Sequence, residues 1–121
     1  MTSKNTTQFQ VPTDKLDRCE SYIKAHNLSC ALYTILGNLE TDDAIEVPMY
    51  ELDFQFDSFP NAEDAQKALE TYVDDEVKSH FDEFQLQGFK YAWAYIERYT
   101  YEDGKLKSVF PDYVGCIQYV L

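Results

Sequence analysis

Between Phe89 and Gly104 the chain reads FKYAWAYIERYTYEDG, with Phe89, Tyr91, Trp93, Tyr95, Tyr99 and Tyr101 at alternate positions and a lone carboxylate, Glu97, among them. A carboxylate enclosed by rings has two chemical uses: to deliver a proton, or to hold a cation that the ring faces also attract. Glu97 with Tyr95, Trp93 and Tyr99 is therefore one candidate ligand pocket, set between a covering helix and the aromatic face of a sheet. A catalytic Glu97 also needs a base or nucleophile beside it, and the sequence offers none nearby. The ordinary alternative is a strand carboxylate near a sheet edge or bonded to a tyrosine hydroxyl.

The other reactive side chains point the same way. His26 and His80 fall on the apolar stripes of predicted helices, where an imidazole commonly serves packing and hydrogen bonding. Cys19, His26 and Cys30 are close in sequence, but C-x6-H-x3-C matches no standard zinc spacing and lacks a fourth ligand, so no metal is expected. Three cysteines (Cys19, Cys30, Cys116) at irregular spacing argue against a disulfide framework and for thiols kept reduced. The chain contains no G-x-S-x-G, H-E-x-x-H, P-loop or G-x-G-x-x-G pattern, so neither a cofactor nor an enzymatic activity is expected.

These residues must be positioned by a single core, since 121 residues suffice for one domain and not for two. Residues 1–10 are polar and aperiodic and read as a flexible arm; residues 11–121 read as the domain. Leu16, Cys19, Ile23 and His26 recur at helical spacing after a cap at Thr13 or Asp14, with Asn27 as a left-handed terminator. Residues 31–36 (ALYTIL) read as a buried strand closed by Gly37-Asn38. Residues 45–56 read as one long strand with a bulge at Pro48, which would turn Glu51, Asp53 and Asp57 outward in a row at ~6.8 Å intervals.

After a turn at residues 58–61, Ala65, Ala68, Leu69, Tyr72, Val73, Val77, His80, Phe81 and Phe84 trace one apolar stripe, predicting a helix over about 62–84, roughly 35 Å long. The aromatic strand then reaches Asp103-Gly104, a type I′ hairpin signal that sets Glu102 opposite Lys105, Tyr101 opposite Leu106, Tyr99 opposite Ser108 and Glu97 opposite Phe110. A separate last strand is expected over residues 113–121. The order α-β-β-α-β-β-β predicts a single two-layer α+β domain, with a mostly antiparallel sheet of about five strands, one long helix and one shorter N-terminal helix.

Charge is the strongest functional signal. The chain carries 22 Asp plus Glu against 10 Lys plus Arg, a net charge of -12, which repels phosphates and anionic lipids and excludes direct binding to nucleic acid or membrane surfaces. No Lys or Arg lies between Lys24 and Lys67, while Asp42, Asp43, Glu46, Glu51, Asp53, Asp57 and Glu63 do. The long helix adds Glu70, Asp74, Asp75, Asp82 and Glu83. Its net six negative charges over about 35 Å come within a factor of two of the ~3.4 Å charge spacing of a nucleic-acid strand.

The expected function is thus a small acidic cytoplasmic inhibitor, monomeric or homodimeric, that offers these carboxylates to the basic nucleic-acid-binding surface of another protein. In size, acidity and lack of catalytic motifs it resembles, at the level of class, anti-restriction and anti-CRISPR proteins and bacterial DNA mimics. An immunity protein or antitoxin against a nuclease would use the same charge logic. The alternative of another class is a small-molecule-binding or enzymatic domain with its pocket around Glu97.

Overall fold

The computed structural model describes residues 10–121, the side chains at 113 and 114 excepted, so the expected arm falls almost wholly outside the described residues. The protein is α+β. Helix α1 (Leu16–Ala25) precedes strands β1 (Cys30–Thr41), β2 (Glu46–Pro48) and β3 (Ser58–Phe59). A helical run follows, formed by Ala62–Ala68, a wide π-turn at Leu69–Val73 and Asp74–Ser79, here together called α2; then come α3 (Phe81–Leu86), β4 (Phe89–Glu102) and β5 (Lys105–Val120). The sheet is antiparallel, in the order β2-β1-β4-β5, with β3 also paired to β1.

Turn chemistry read from sequence is realised at two places. Asn27 adopts φ 51°, and the N–H groups of Leu28 and Asn27 return to Ile23 and Lys24 carbonyls at 3.0 and 3.3 Å, ending α1 with a left-handed cap. Asp103 and Gly104 have φ 51° and 80°, as a type I′ turn requires. The hairpin tip docks on α1: Gly104 N–H donates to Leu28 at 2.9 Å, and a Cβ on Gly104 would meet the α1 terminus at 3.3 Å.

Several expectations need correction. Neither Thr13 nor Asp14 caps α1; Lys15 stands at that position without a side-chain cap, and Asp14 instead accepts from the Lys15 backbone N–H and from Arg18. Strand β1 does not close at Gly37-Asn38 but runs on to Thr41, because Gly37 serves as the seat of buried Met49, whose sulfur occupies the space of a Cβ.

Residues 45–56 are not one bulged strand. Pro48 ends β2, Met49–Leu52 form a 3-10 turn, Asp53 turns left-handed at φ 64°, and the chain rejoins β1 only at Ser58–Phe59. The outward row of Glu51, Asp53 and Asp57 therefore does not exist. Strand β5 is one strand and not two; extra residues shift its register beside Tyr101 and again between Ala94 and Ile96, so Tyr99 faces Val109 and Glu97 faces Pro111.

The expected long helix begins where the stripe predicts, with Asn61 accepting the Asp64 N–H at 2.8 Å. It breaks at His80, where φ -110° and ψ 11° leave the helical region before α3. The imidazole packs on Phe54 and Phe84, with Nδ1 2.8 Å from the Glu76 carbonyl.

The helices cover opposite faces of the sheet. Under α2 and α3 lie Ile35, Leu39, Ala92, Ala94, Ile96 and Tyr119, with Leu69, Val73, Val77 and Phe84 descending from the helices. On the other face α1 sends Cys19 and Ile23 onto Leu32 and Tyr101.

Candidate protein-binding surface

Residue parity along β4 decides which groups stay accessible. Its even residues Ala92, Ala94 and Ile96 are buried beneath α2, whereas Tyr91, Trp93, Tyr95, Glu97 and Tyr99 stay half-buried on the other face. The expected placement of the aromatic row under the long helix is therefore reversed. Small side chains let α2 approach; the bulkier rings take the face that α1 covers only near the hairpin.

On that face each tyrosine near α1 is tied to a carboxylate. The Tyr101 hydroxyl donates to Glu20 at 2.6 Å and the Tyr99 hydroxyl donates to Glu97 at 3.0 Å. Burial, then the hydrogen bond and charge of Glu20, pushes the Tyr101 phenol up; burial, then the charge of Glu97, does the same for Tyr99. Glu97 is thus a strand carboxylate bonded to a tyrosine.

Beyond Glu97 the face opens. A depression of about 560 Å³ is lined by Asn38, Glu40 and Glu46 of β1 and β2, Trp93 and Tyr95 of β4, and Pro111, Asp112 and Cys116 of β5. A second one of about 400 Å³ lies between α1, β1 and residues 48–56, and Tyr95 and Asn38 border both. Of the four pocket candidates, Trp93 and Tyr95 line these spaces, while Glu97 and Tyr99 line neither. Among the described residues no group of three or more His, Cys, Asp or Glu side chains is arranged to hold a metal ion.

The acidic candidates are carried by three segments. Asp42 and Asp43 occupy the β1–β2 turn, with Lys90 3.8 Å from Asp42, and Glu46 lies opposite Glu40 in the β1–β2 ladder. Glu51 and Asp53 flank the 3-10 turn and are exposed, whereas Asp57 is held by Lys15 at 3.1 Å and by the Tyr72 hydroxyl at 3.1 Å. Burial, then the Asp57 charge, raises the Tyr72 phenol to about 12.

On α2, Glu63, Glu70 and Asp75 are exposed; Asp74 accepts from Tyr119 at 2.7 Å and meets Lys78 at 2.9 Å, which together hold its carboxyl below the ordinary range. Asp82 and Glu83 stand exposed on α3.

No protein-family model, curated protein or solved structure matches the chain. The surface must be read from its own chemistry. Among the described residues Asp14, Asp42, Asp57, Asp74 and Glu102 have a Lys or Arg within 4.0 Å, and 22 carboxylates face 10 Lys plus Arg in the whole chain. Internal pairing therefore leaves the negative excess largely intact. No helix among the described residues is long and apolar enough to cross a membrane.

Sequence reasoning missed Asn38, Glu40 and Asp112 as site residues. Glu40 was hidden because β1 was expected to stop before it. The usable signal was Ala92 and Ala94, which alternate with the rings: in a strand the small parity marks the face a helix covers, so the aromatic parity is the open one.

Proposed function

We propose that the protein is a small acidic inhibitor that occupies the basic nucleic-acid-binding surface of another protein. The observation that carries this reading is the unrelieved charge: 22 carboxylates stand against 10 Lys plus Arg, a net charge of -12 that internal pairing cannot cancel. Repulsion among them is a standing cost to the folded state that a cationic partner removes on binding, and the same field accelerates encounter. Exposed acids on α2, α3 and the β1–β2 turn stand in for phosphates, and the open rings of the sheet supply the contact area that screened charge does not. An antitoxin-type inhibitor of a nuclease is the same reading with another basic target.

The test is capture of partners from lysate at low and high salt, followed by titration of the protein into the captured partner loaded with duplex DNA. Displacement of the DNA that weakens steeply with salt supports the reading. Binding indifferent to salt, or capture of proteins without a basic groove, overturns it. The depression of about 400 Å³ favours a second reading, a small-molecule site walled by Tyr50, Phe54 and Tyr95. A ligand retained through purification and released on denaturation would establish that alternative.

A further inference from the structure

The helix-free half of the sheet has a more specific chemistry than general acidity. Trp93 and Tyr91 lie with ring centroids 6.1 Å apart and their planes 36° from parallel, presenting a shallow aromatic floor. Along one wall, Glu40 and Glu46 are direct cross-strand neighbours, an arrangement of like charges that costs stability unless something cationic lies between them. Neither has a Lys or Arg within 4.0 Å among the described residues. Of the two cations of β4, Arg98 shares the parity of Ala94 and Ile96 and belongs to the opposite face, while Lys90, the extra residue where the register shifts beside Glu40 and Thr41, meets Asp42 at 3.8 Å.

That opposite face contains the arrangement this one lacks. Near the hairpin the Arg98 guanidinium lies 5.5 Å from the centroid of the Phe110 ring, a cation over an aromatic face supplied from within the chain. Around Trp93 the ring and the carboxylates of Glu40 and Glu46 are present, and among the described residues no Lys or Arg lies within 4.0 Å of either carboxylate.

We propose that the face floored by Trp93 and walled by Glu40 and Glu46 docks an arginine-bearing basic segment of a partner protein. The planar guanidinium stacks on the indole and directs its fork of N–H donors at the two carboxylates, a fit that a lysine ammonium cannot reproduce. The depression of about 560 Å³ has room for the side chain. This assignment rests on the inhibitor reading above and supplies its anchor.

Trp93 is the single tryptophan of the chain, so its fluorescence reports this face directly. The full-length protein is titrated with acetyl-Arg-Arg-Arg-amide and with the corresponding citrulline peptide, which keeps the shape and loses the charge. A saturable change with the arginine peptide alone is the expected result. Glu40→Gln/Glu46→Gln should weaken it about tenfold, since charge-assisted hydrogen bonds are lost. Glu102→Gln/Asp103→Asn, with the same charge change at the exposed hairpin tip, should leave it within about twofold of the parent, as separate sites behave independently.

An equal response to both peptides, no saturable response, or equal weakening by the two double variants overturns the assignment. Trp93 emission that depends on protein concentration before peptide is added gives the face to a second copy and overturns it as well. Salt-sensitive DNA displacement that persists in Glu40→Gln/Glu46→Gln would reject this anchor alone, whereas its loss in the parent protein would reject the inhibitor reading itself.

Discussion

At its Phe89 end β4 turns small residues, Ala92 and Ala94, toward α2 and leaves Tyr91, Trp93 and Tyr95 on the open side; at its hairpin end it turns Tyr101 toward α1 and leaves Arg98 and Glu102 open. Two uncovered quarters of one sheet result, and they differ in how their charges are met. The hairpin quarter is satisfied from within: Arg98 lies over Phe110, and Lys107 reaches Glu102 at 3.3 Å. The Trp93 quarter carries Glu40 and Glu46 side by side, and among the described residues neither has a Lys or Arg within 4.0 Å. A fold can cover only as much sheet as it has helix, and here the quarter left without helix also holds two carboxylates that no Lys or Arg among the described residues approaches within 4.0 Å.

The contrast can be broken most forcefully on its covered side. Phe84 is fully buried between α3 and the sheet, so Phe84→Ala should cost about 3 to 5 kcal/mol in chemical denaturation and release α3 from the core. Gly115 lies where a Cβ would strike the Ile96 side chain and come within 3.0 Å of Gln66 Oε1. Gly115→Ala should therefore destabilise by about 1 to 3 kcal/mol through overpacking, read as a lowered denaturation midpoint at unchanged slope.

The α1 side has a chemical test. Tyr101→Phe removes the donor to Glu20 and should cost about 1 to 2 kcal/mol. It should also flatten the fall of stability in alkali. The Tyr101, Tyr99 and Tyr119 phenols are all raised in the folded state, mainly by burial. Unfolded tyrosine loses its proton near pH ~10. Folded protein holds these protons longer, so the stabilisation is complete below about pH 10 and declines as pH rises further. A midpoint independent of pH between about 9 and 11 would contradict these burials.

On the open side the expected sign reverses. Glu46→Gln relieves the repulsion from Glu40 and should raise stability by about 0.2 to 1 kcal/mol while weakening capture of a basic partner. A loss of stability would mean that Glu46 is already compensated inside the fold and that the difference between the two quarters is smaller than drawn.

Much of this was legible in the chain. The stripe from Ala65 to Phe84 marked the covering helix, Asn27 and the Asp103-Gly104 pair marked their turns, and the register at Glu102 and Tyr101 followed from the hairpin. Register failed beyond Thr100, because a bulge adds a residue without any residue type that announces it. The strand expected over residues 45–56 failed for a related reason: alternating apolar residues indicate alternation of environment, and a proline followed by a left-handed Asp53 satisfied that environment by wrapping around Met49 instead of extending a ladder.

The amino-acid sequence by itself determined the class of fold, the excess of acid and the alternation of rings with small residues, since these are properties of composition and of period along one segment. Only the tertiary structure decided which face of the sheet each helix would take, which carboxylates would become neighbours and which would find a cation. Those outcomes depend on contacts between residues far apart in the chain, such as Glu40 with Glu46 across the ladder and Glu20 with Tyr101 between helix and strand. Local periodicity has no term for such contacts, because it records where a side chain points and not what stands opposite.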